Sequence, residues 1–351
     1  MSENTSQPAP QISVLIPTYR RPQLLRRAIS SALAQRGPAV QVCVYDNASG
    51  DATAEVVAEL AARDPRIKYY CHDHNIGSLA NFQFALARVD TPLFSFLSDD
   101  DLLLPGFFEE AVSDFGQFPD AMFWAGTTVR MTPEGRVYDA HADSWPREGL
   151  YTPADGLREL LSGNLLVWTG ILFRREVVTN VGLLDLEVGG PSDVDYVLRI
   201  AAQYPFVVRK WPAAIFMLNP DSFSETAPFS TFWPGWLKMI ENIVALASRH
   251  PHPRREIEQR LNANAQRMLF RRGASALSHR NYPFTRQAAG VLRQHYKKFL
   301  FGGLLSILTG LCARYSILQS LYTAAYRCAE HHLLTQRSEL QARYGHLARY
   351  L

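Results

Sequence analysis

Cysteine is scarce in this chain of 351 residues. The four present, Cys43, Cys71, Cys312 and Cys328, lie far apart and form no Cys-x-x-Cys pair. That spacing signals neither a zinc site nor a disulfide framework, and points to reduced, mostly buried thiols. No uninterrupted run of about 20 apolar residues exists, which excludes an ordinary transmembrane helix. Residues 1–10 are polar and lack the charged-then-apolar layout of a signal peptide, so they read as a disordered N-terminus on a cytoplasmic protein. The first strand-like run is followed by Pro17-Thr18-Tyr19 instead of Gly-x-Gly-x-x-Gly. This argues against a nicotinamide-dependent oxidoreductase, and the missing glycine-rich loop argues equally against a nucleotidyltransferase that must cradle a triphosphate. What is present, 47% hydrophobic and 20% charged residues, belongs to a chain that buries a core.

The net charge of +3 conceals an uneven distribution. Residues 1–229 carry 18 Lys and Arg against 28 Asp and Glu, whereas residues 230–351 carry 18 against 5. An acidic cleft suits a divalent cation, and a basic helical segment suits an anionic membrane surface or a phosphate-bearing ligand. No nucleic-acid partner is read from this balance.

Residues 12–125 alternate strand-like and helix-like signals in the order of a parallel α/β sheet. Residues 12–16 and 40–45 are β-branched runs; between them Leu24, Leu25, Ala28, Ile29, Ala32 and Leu33 recur at helical spacing, after Pro22 and ahead of Gly37-Pro38. The pattern repeats with a helix over 51–62, a strand at 67–71, a helix over 78–88 and an apolar strand at 93–97. Residues 126–165, rich in Gly, Pro and Asp, read as loops joining shorter elements. Signals of α/β type return at 166–173, in a helix over 192–202 and at 206–208, and helical signals dominate from Thr231. The expected division is 1–10, 11–229 and a basic helical region at 230–351, with the boundary near Phe229.

Ligands of open α/β sheets bind at the carboxyl ends of the strands. Pro17-Thr18-Tyr19-Arg20, Asp46-Asn47 and Asp99-Asp100-Asp101 all fall there. Adjacent carboxylates repel by on the order of 1 kcal/mol per close pair. Mg2+ or Mn2+ relieves that conflict, taking one or two protein carboxylates and completing its shell with water and phosphate. The alternative is a solvated acidic turn ahead of the helix that Pro105 opens. Asp46 suits the N–H of a pyrimidine base, or else forms an Asx turn beside a helix cap at Ser49 or Asp51.

In order, the pieces are Pro17-Thr18-Tyr19-Arg20, Asp46-Asn47-Ala48-Ser49-x-Asp51-x-Thr53, Asn75-x-Gly77 and Phe96-Leu97-Ser98-Asp99-Asp100-Asp101-x-x-x-Pro105. Then come Gly170-Ile171-Leu172-Phe173-Arg174-Arg175, Val181-Gly182-Leu183-Leu184-Asp185 and Ser192-Asp193-Val194-Asp195-Tyr196-x-x-Arg199. Over residues 11–225 this series resembles the family 2 glycosyltransferases, whose fold is called GT-A. The resemblance implies a Rossmann-like α/β nucleotide-sugar-binding domain with a helical C-terminal extension. It also implies transfer of a sugar from a nucleoside diphosphate donor to an acceptor hydroxyl, with inversion and without a covalent enzyme intermediate.

By position, the resemblance places Pro17, Thr18, Tyr19 and Asp46 at the nucleotide base, with Arg20, Asn75 and Gly77 also on the donor side. Asp99 faces the donor, Asp100 binds the metal, and Asp101 supports it or meets it through water. Asp193 matches the general base, with a helix N-cap as its alternative. Asp195, four residues before Arg199, reads as half of a structural ion pair. Three departures stand out: Arg20 replaces a frequent Asn, Ser192 replaces a frequent Glu, and Met217-Leu218-Asn219-Pro220-Asp221-Ser222 lacks the His that often serves as a third metal contact. Asp221 is the substitute oxygen ligand there. Trp168 either stacks on a sugar face or belongs to the core, and His72 and His74 read as polar loop residues.

Residues 299–313 are apolar apart from Ser306 and Thr309, with Lys297-Lys298 and Arg314 at the ends. Two readings stay open. Residues 297–328 lie on an anionic membrane surface, peripheral to the inner face of the cytoplasmic membrane, or they pack on the catalytic core or on another subunit of a homo-oligomer. The acceptor is accordingly a saccharide or a lipid-linked saccharide, in polysaccharide, O-antigen or glycolipid assembly for the cell envelope. The rival reading is a catalytically silent sugar-nucleotide-binding or membrane-scaffolding protein.

Overall fold

β1 (Ile12–Thr18), α1 (Pro22–Leu33), β2 (Val40–Asp46), α2 (Thr53–Ala61), β3 (Ile67–Cys71), α3 (Ser78–Leu86) and β4 (Leu93–Phe96) build the first half of the sheet. The computed structural model describes residues 11–218, 227–247, 253–335 and 337–351. The expected disordered stretch at 1–10 and the candidate ligand Asp221 lie outside the described residues. β1 and β2 are buried along their whole length, because helices cover both faces of a parallel sheet. Alternate residues serve opposite faces: Leu15, Cys43, Tyr45, Phe94 and Phe96 join one apolar cluster, and Val14, Ile16, Val42 and Val44 join the other. Thr18 pairs with Asp46, and Asp46 with Cys71, so the carboxyl ends of these strands finish together.

The second half contains β5 (Leu102–Leu103), α4 (Phe107–Gln117), β6 (Phe123–Met131), β7 (Val137–His141), β8 (Gly149–Tyr151) and α5 (Pro153–Leu161). A 3-10 turn (Trp168–Gly170), β9 (Ile171–Arg174), α6 (Glu176–Asn180), α7 (Ser192–Ala201) and β10 (Phe206–Met217) follow. The ten strands lie in the order β3-β2-β1-β4-β9-β6-β10-β5, with β7 beside β6 and β8 beside β10. β9 runs antiparallel to β4 and β6. The expectation of loops over 126–165 is corrected by β7, β8, α5 and the long β6. Gly126 and its threonine neighbours hide the strand period, and Gly126 is required because a Cβ there would strike Ala213 and the Trp124 ring. The start of α5 does carry a readable signal: Pro153 at its first turn and the Thr152 hydroxyl accepting from Asp155 N–H at 3.4 Å.

The C-terminal region is α8 (Phe229–Ala247), α9 (Arg254–Ser278), α10 (Tyr282–Gln294), α11 (Phe299–Arg314), α12 (Ser316–Thr335) and α13 (Ser338–Tyr344), then a 3-10 turn over Gly345–Tyr350. Its side chains Phe232, Trp236, Leu261, Leu269, Phe284 and Leu305 share one apolar cluster with Phe94, Phe96 and Phe173 of the sheet. The helices therefore complete the sheet's core. Tyr344 and Leu347 return to cover Leu102, Val129, Met131 and Met217, fastened by Arg343 on both oxygens of Asp143 at 2.7 and 2.9 Å.

α7 is held from three sides. Arg199 Nε donates to Asp195 Oδ2 at 2.7 Å, and its other nitrogens reach the carbonyls of Val181 and Leu183 at 3.3 and 2.9 Å. Asn242 of α8 donates to Asp195 Oδ1 at 3.2 Å and to Asp185 Oδ2 at 2.9 Å. Gly235 of α8 lies against the Val188 carbonyl so closely that a Cβ would collide with it and sit 3.6 Å from Pro191 Cδ. Overpacking of this kind costs about 1–3 kcal/mol. Gly235→Val is expected to lower stability by about that amount in chemical denaturation and to displace the turn before α7, since no side-chain torsion relieves a clash at Cβ.

Candidate active site

Two loops meet at the end of β1. Arg20 and Ala48 hold positive φ, at 56° and 60°, a backbone state that costs energy for residues with a Cβ and must be held by neighbours. Ser49 does this holding: its Oγ accepts from Arg20 N–H at 2.9 Å and its carbonyl from Arg20 Nε at 3.0 Å. Ser49 is itself fixed by Asp46, whose Oδ1 accepts from the Ser49 N–H at 3.0 Å and hydroxyl at 2.6 Å. Tyr69 donates to the other oxygen of Asp46 at 2.6 Å. Asp46 is 2% exposed, and a buried carboxylate requires such donors; the Asx turn is what the structure shows at this position. Arg20 is committed to Ser49, and its guanidinium carbon lies 5.0 Å from the Tyr19 ring centroid. Tyr19 is 37% exposed beside these loops.

Asn75 and Gly77 support the same wall. Asn75 Oδ1 accepts from Asn47 Nδ2 at 2.9 Å and from Gly77 N–H at 2.8 Å, while Asn47 Oδ1 takes the Ile76 N–H at 2.8 Å. Gly77 enters α3 at φ 89°.

The three carboxylates after β4 are treated differently. Asp99 Oδ2 accepts from the Thr18 hydroxyl at 2.8 Å and, more distantly, from Tyr19 N–H at 3.4 Å. Arg21 NH1 bridges Asp99 Oδ1 at 3.1 Å and Asp100 Oδ2 at 2.8 Å. Burial and the neighbouring Asp100 push the Asp99 carboxyl up to about 6, against the pull of Arg21 and Thr18. Asp101 turns inward: Oδ2 accepts from the Thr169 hydroxyl at 2.7 Å and Oδ1 from Met217 N–H at 2.9 Å. Burial and Asp100 hold its carboxyl well above the usual range. Asp101 thus braces the acidic loop against the second half of the sheet, each of its oxygens accepting one protein hydrogen bond.

Among the described residues, no three His, Cys, Asp or Glu side chains stand together as a metal cage. The donors present still fit Mg2+ or Mn2+ bound through Asp100, because such ions commonly use one or two carboxylates and take the remaining oxygens from diphosphate and water. Trp168 is core: its ring packs 4.7 Å from Phe82 and 4.6 Å from Phe96. His72 is a polar loop residue bonded to Asn81 Oδ1 at 3.0 Å.

Asp193 stands on α7, whose Tyr196 ring lies 6.1 Å from Phe173 of β9. α7 therefore covers the sheet face that carries Phe96 and Phe173. Asp193 Oδ1 accepts from Val194 N–H at 2.8 Å. Burial raises its carboxyl above the ordinary value, backbone N–H groups oppose that rise, and no charged side chain contributes. Asp195 is the buried partner of Arg199, as its spacing predicts. Sequence reasoning missed Arg21, Tyr69 and Thr169, and took Ser49 for a helix cap, where it instead braces Arg20. Only Arg21, beside the helix-opening Pro22 and one residue beyond the motif, left a local signal.

A parallel half-sheet ending in an acidic loop, joined to a mixed half bearing a separate, partly exposed carboxylate, defines a GT-A type of nucleotide-sugar enzyme. Residues 13–182 match the profile described as Glycosyl transferase family 2. The chain carries this domain, and the protein is a family 2 glycosyltransferase that takes its sugar from a nucleotide sugar. Residues 1–349 of S. aureus TarS in complex with UDP-GlcNAc superpose with a TM-score of 0.62 at 14% identity, covering 91% of this chain and 92% of that one. The Pyrobaculum calidifontis mannosyltransferase PcManGT in complex with GDP-Man and Mn2+ gives a TM-score of 0.50 at 18% identity, over 92% of this chain and 86% of that one. A Campylobacter jejuni GalNAc(5)-diNAcBac-PP-undecaprenol beta-1,3-glucosyltransferase is 37% identical over 98 residues, which are 28% of this chain and 32% of its own.

Because folding lifts the Asp99 carboxyl to about 6, protonated Asp99 favours the native state. That contribution is complete below about pH 4 and is lost as pH rises through the folded value. In metal-free protein, Arg21→Met is expected to move the Asp99 midpoint upward, read by carbon-13 NMR of its carboxyl. An unmoved midpoint would show that Arg21 does not hold Asp99 charged.

Proposed function

We propose that the protein is an inverting glycosyltransferase with Asp193 as general base and a sugar or lipid-linked sugar as acceptor. The observation that carries this reading is the placement of Asp193 on the first turn of α7, partly exposed and in no ion pair among the described residues, while Asp195 two positions on is buried against Arg199; burial also raises the Asp193 carboxyl. A carboxylate so tuned is better suited to accept a proton than one locked to an arginine, as Asp195 is. Asp193 takes the acceptor hydroxyl proton as that oxygen bonds to the anomeric carbon. The bond from that carbon to the diphosphate breaks, and its electron pair leaves with the diphosphate. One displacement inverts the centre.

Tyr19 stacks on the nucleotide base, Pro17 and Thr18 lie on the same strand end, and the Asp46-Ser49-Arg20 chain fixes that wall. Asn75 and Gly77 hold the neighbouring loop through Asn47. Asp99 and Asp100 border the diphosphate, with Asp100 as the residue that would hold Mg2+ or Mn2+; a bound cation supplies charge neutralisation of the diphosphate. The Mn2+ of the mannosyltransferase complex and the undecaprenol diphosphate named for the Campylobacter relative support metal use and a lipid-linked acceptor in glycan assembly.

With a nucleotide-sugar panel and Mn2+, wild-type protein is expected to give a product of inverted anomeric configuration by NMR. Asp193→Asn is expected to lower kcat by about 100- to 10,000-fold while leaving nucleotide-sugar Kd within a few-fold. Full transfer by that variant, or a retained configuration, overturns the assignment. Asp100→Asn is expected to raise the Mn2+ concentration required for half-maximal activity; an unchanged requirement removes Asp100 from the metal.

A further inference from the structure

Among the described residues, ten of the sixteen exposed large hydrophobic side chains fall between Phe299 and Leu321, on α11 and the start of α12. α11 has two apolar faces. Gly302, Leu305, Thr309 and Cys312 are buried, and Gly302 lies so close to α10 that a Cβ would sit 2.8 Å from the Ala289 carbonyl. The outward stripe consists of Leu300, Leu304, Ile307 and Leu311, at 78%, 46%, 64% and 41% exposure. Ile317 and Leu321 extend it at 74% and 60%. A helix apolar on every side belongs in a core or against lipid, and only the inner half of α11 has a protein covering. Exposed patches of this extent mark interaction surfaces.

The surrounding charge identifies the occupant. From Gln259 to Ala329 the sequence contains no Asp or Glu and 11 Lys and Arg. Arg293, Lys297, Lys298, Arg314 and Arg327 within it are exposed. A second copy of the chain, docked through this face about a two-fold axis, would set the same positive rim against itself. An anionic bilayer presents the opposite charge and a hydrocarbon layer for the stripe. No helix among the described residues is long and apolar enough to cross a membrane, so the element lies in the interface.

We infer that α11 and the N-terminal part of α12 form a docking surface for an anionic lipid bilayer, the apolar stripe entering the acyl boundary and Lys297, Lys298 and Arg314 meeting the headgroups. This surface is independent of the transfer reaction, because it contains none of the donor or base residues.

The test mixes the full chain with vesicles of phosphatidylcholine alone, or of phosphatidylcholine with phosphatidylglycerol, and reads cosedimentation at low and physiological salt. Wild-type protein is expected to bind the mixed vesicles at least tenfold more tightly. The triple variant Leu300→Gln, Leu304→Gln, Ile307→Gln, altered only at exposed positions, is expected to lose at least tenfold in binding with an unchanged melting temperature. Lys297→Glu with Lys298→Glu is expected to weaken binding and flatten its salt dependence. The inference is overturned if wild-type protein ignores the mixed vesicles, or if the triple variant binds them as wild type does. It is equally overturned if light scattering shows a vesicle-indifferent dimer that the triple variant dissolves, which assigns the face to a second copy.

Discussion

Three consecutive carboxylates at the end of one strand cannot all remain charged, dry and unpaired. At about 4 Å, two such charges oppose each other by about 4 kcal/mol in the effective medium near a protein surface. The chain resolves the conflict by separating their environments. Asp101 is turned into the core and given donors from Thr169 and Met217. Asp99 is anchored to Thr18 and shares Arg21 with Asp100. Much of the architecture answers to this arrangement: β4 must deliver the acidic loop, β1 must end beside it to offer Thr18, and β10 must pass behind it to offer a backbone N–H.

Asp101 consequently joins the two halves of the sheet. Its partners come from the 3-10 turn before β9 and from the last residue of β10, so the acidic loop and the second half of the sheet are held in one register. The other carboxylate of the proposed reaction is fixed by different means. α7 is clamped by Arg199 to the carbonyls before it and by Asn242 to the first C-terminal helix. The position of Asp193 is therefore set in part by a region that carries no donor-binding residue.

The first half of the fold was legible because local and global signals agree there. Buried parallel strands are continuous apolar runs, and the helices between them repeat at helical spacing. The acidic loop, Asp46 and Asp193 were legible as residues but not as environments. Whether Asp46 faces a base or its own turn depends on Tyr69, a residue of a neighbouring strand that pairs with Val44. Whether Asp101 meets a cation or the core depends on Thr169, 68 positions away. Strands β6 to β8 escaped notice because Gly126 and short edge segments carry no period, although the close approach at Gly126 is the reason that strand packs against β10. Asp195 was legible because its partner lies four residues away on the same helix.

The charge asymmetry between the two parts of the chain now has a physical reading. An acidic body places its carboxylates where they need a cation, and among the described residues the cation paired to Asp99 and Asp100 is Arg21 alone. The many arginines and lysines of the helical region form no ion pair with that trio or with Asp193 in the contacts described. Were they to reach the cleft, they would lower the carboxyl of Asp193 and weaken it as a base. Keeping the positive charge on helices that share the core without pairing to the acidic loop lets one chain carry a carboxylate-rich loop and a cationic apolar helix at once, and charges farther apart than about 8 Å are largely screened from each other at physiological salt.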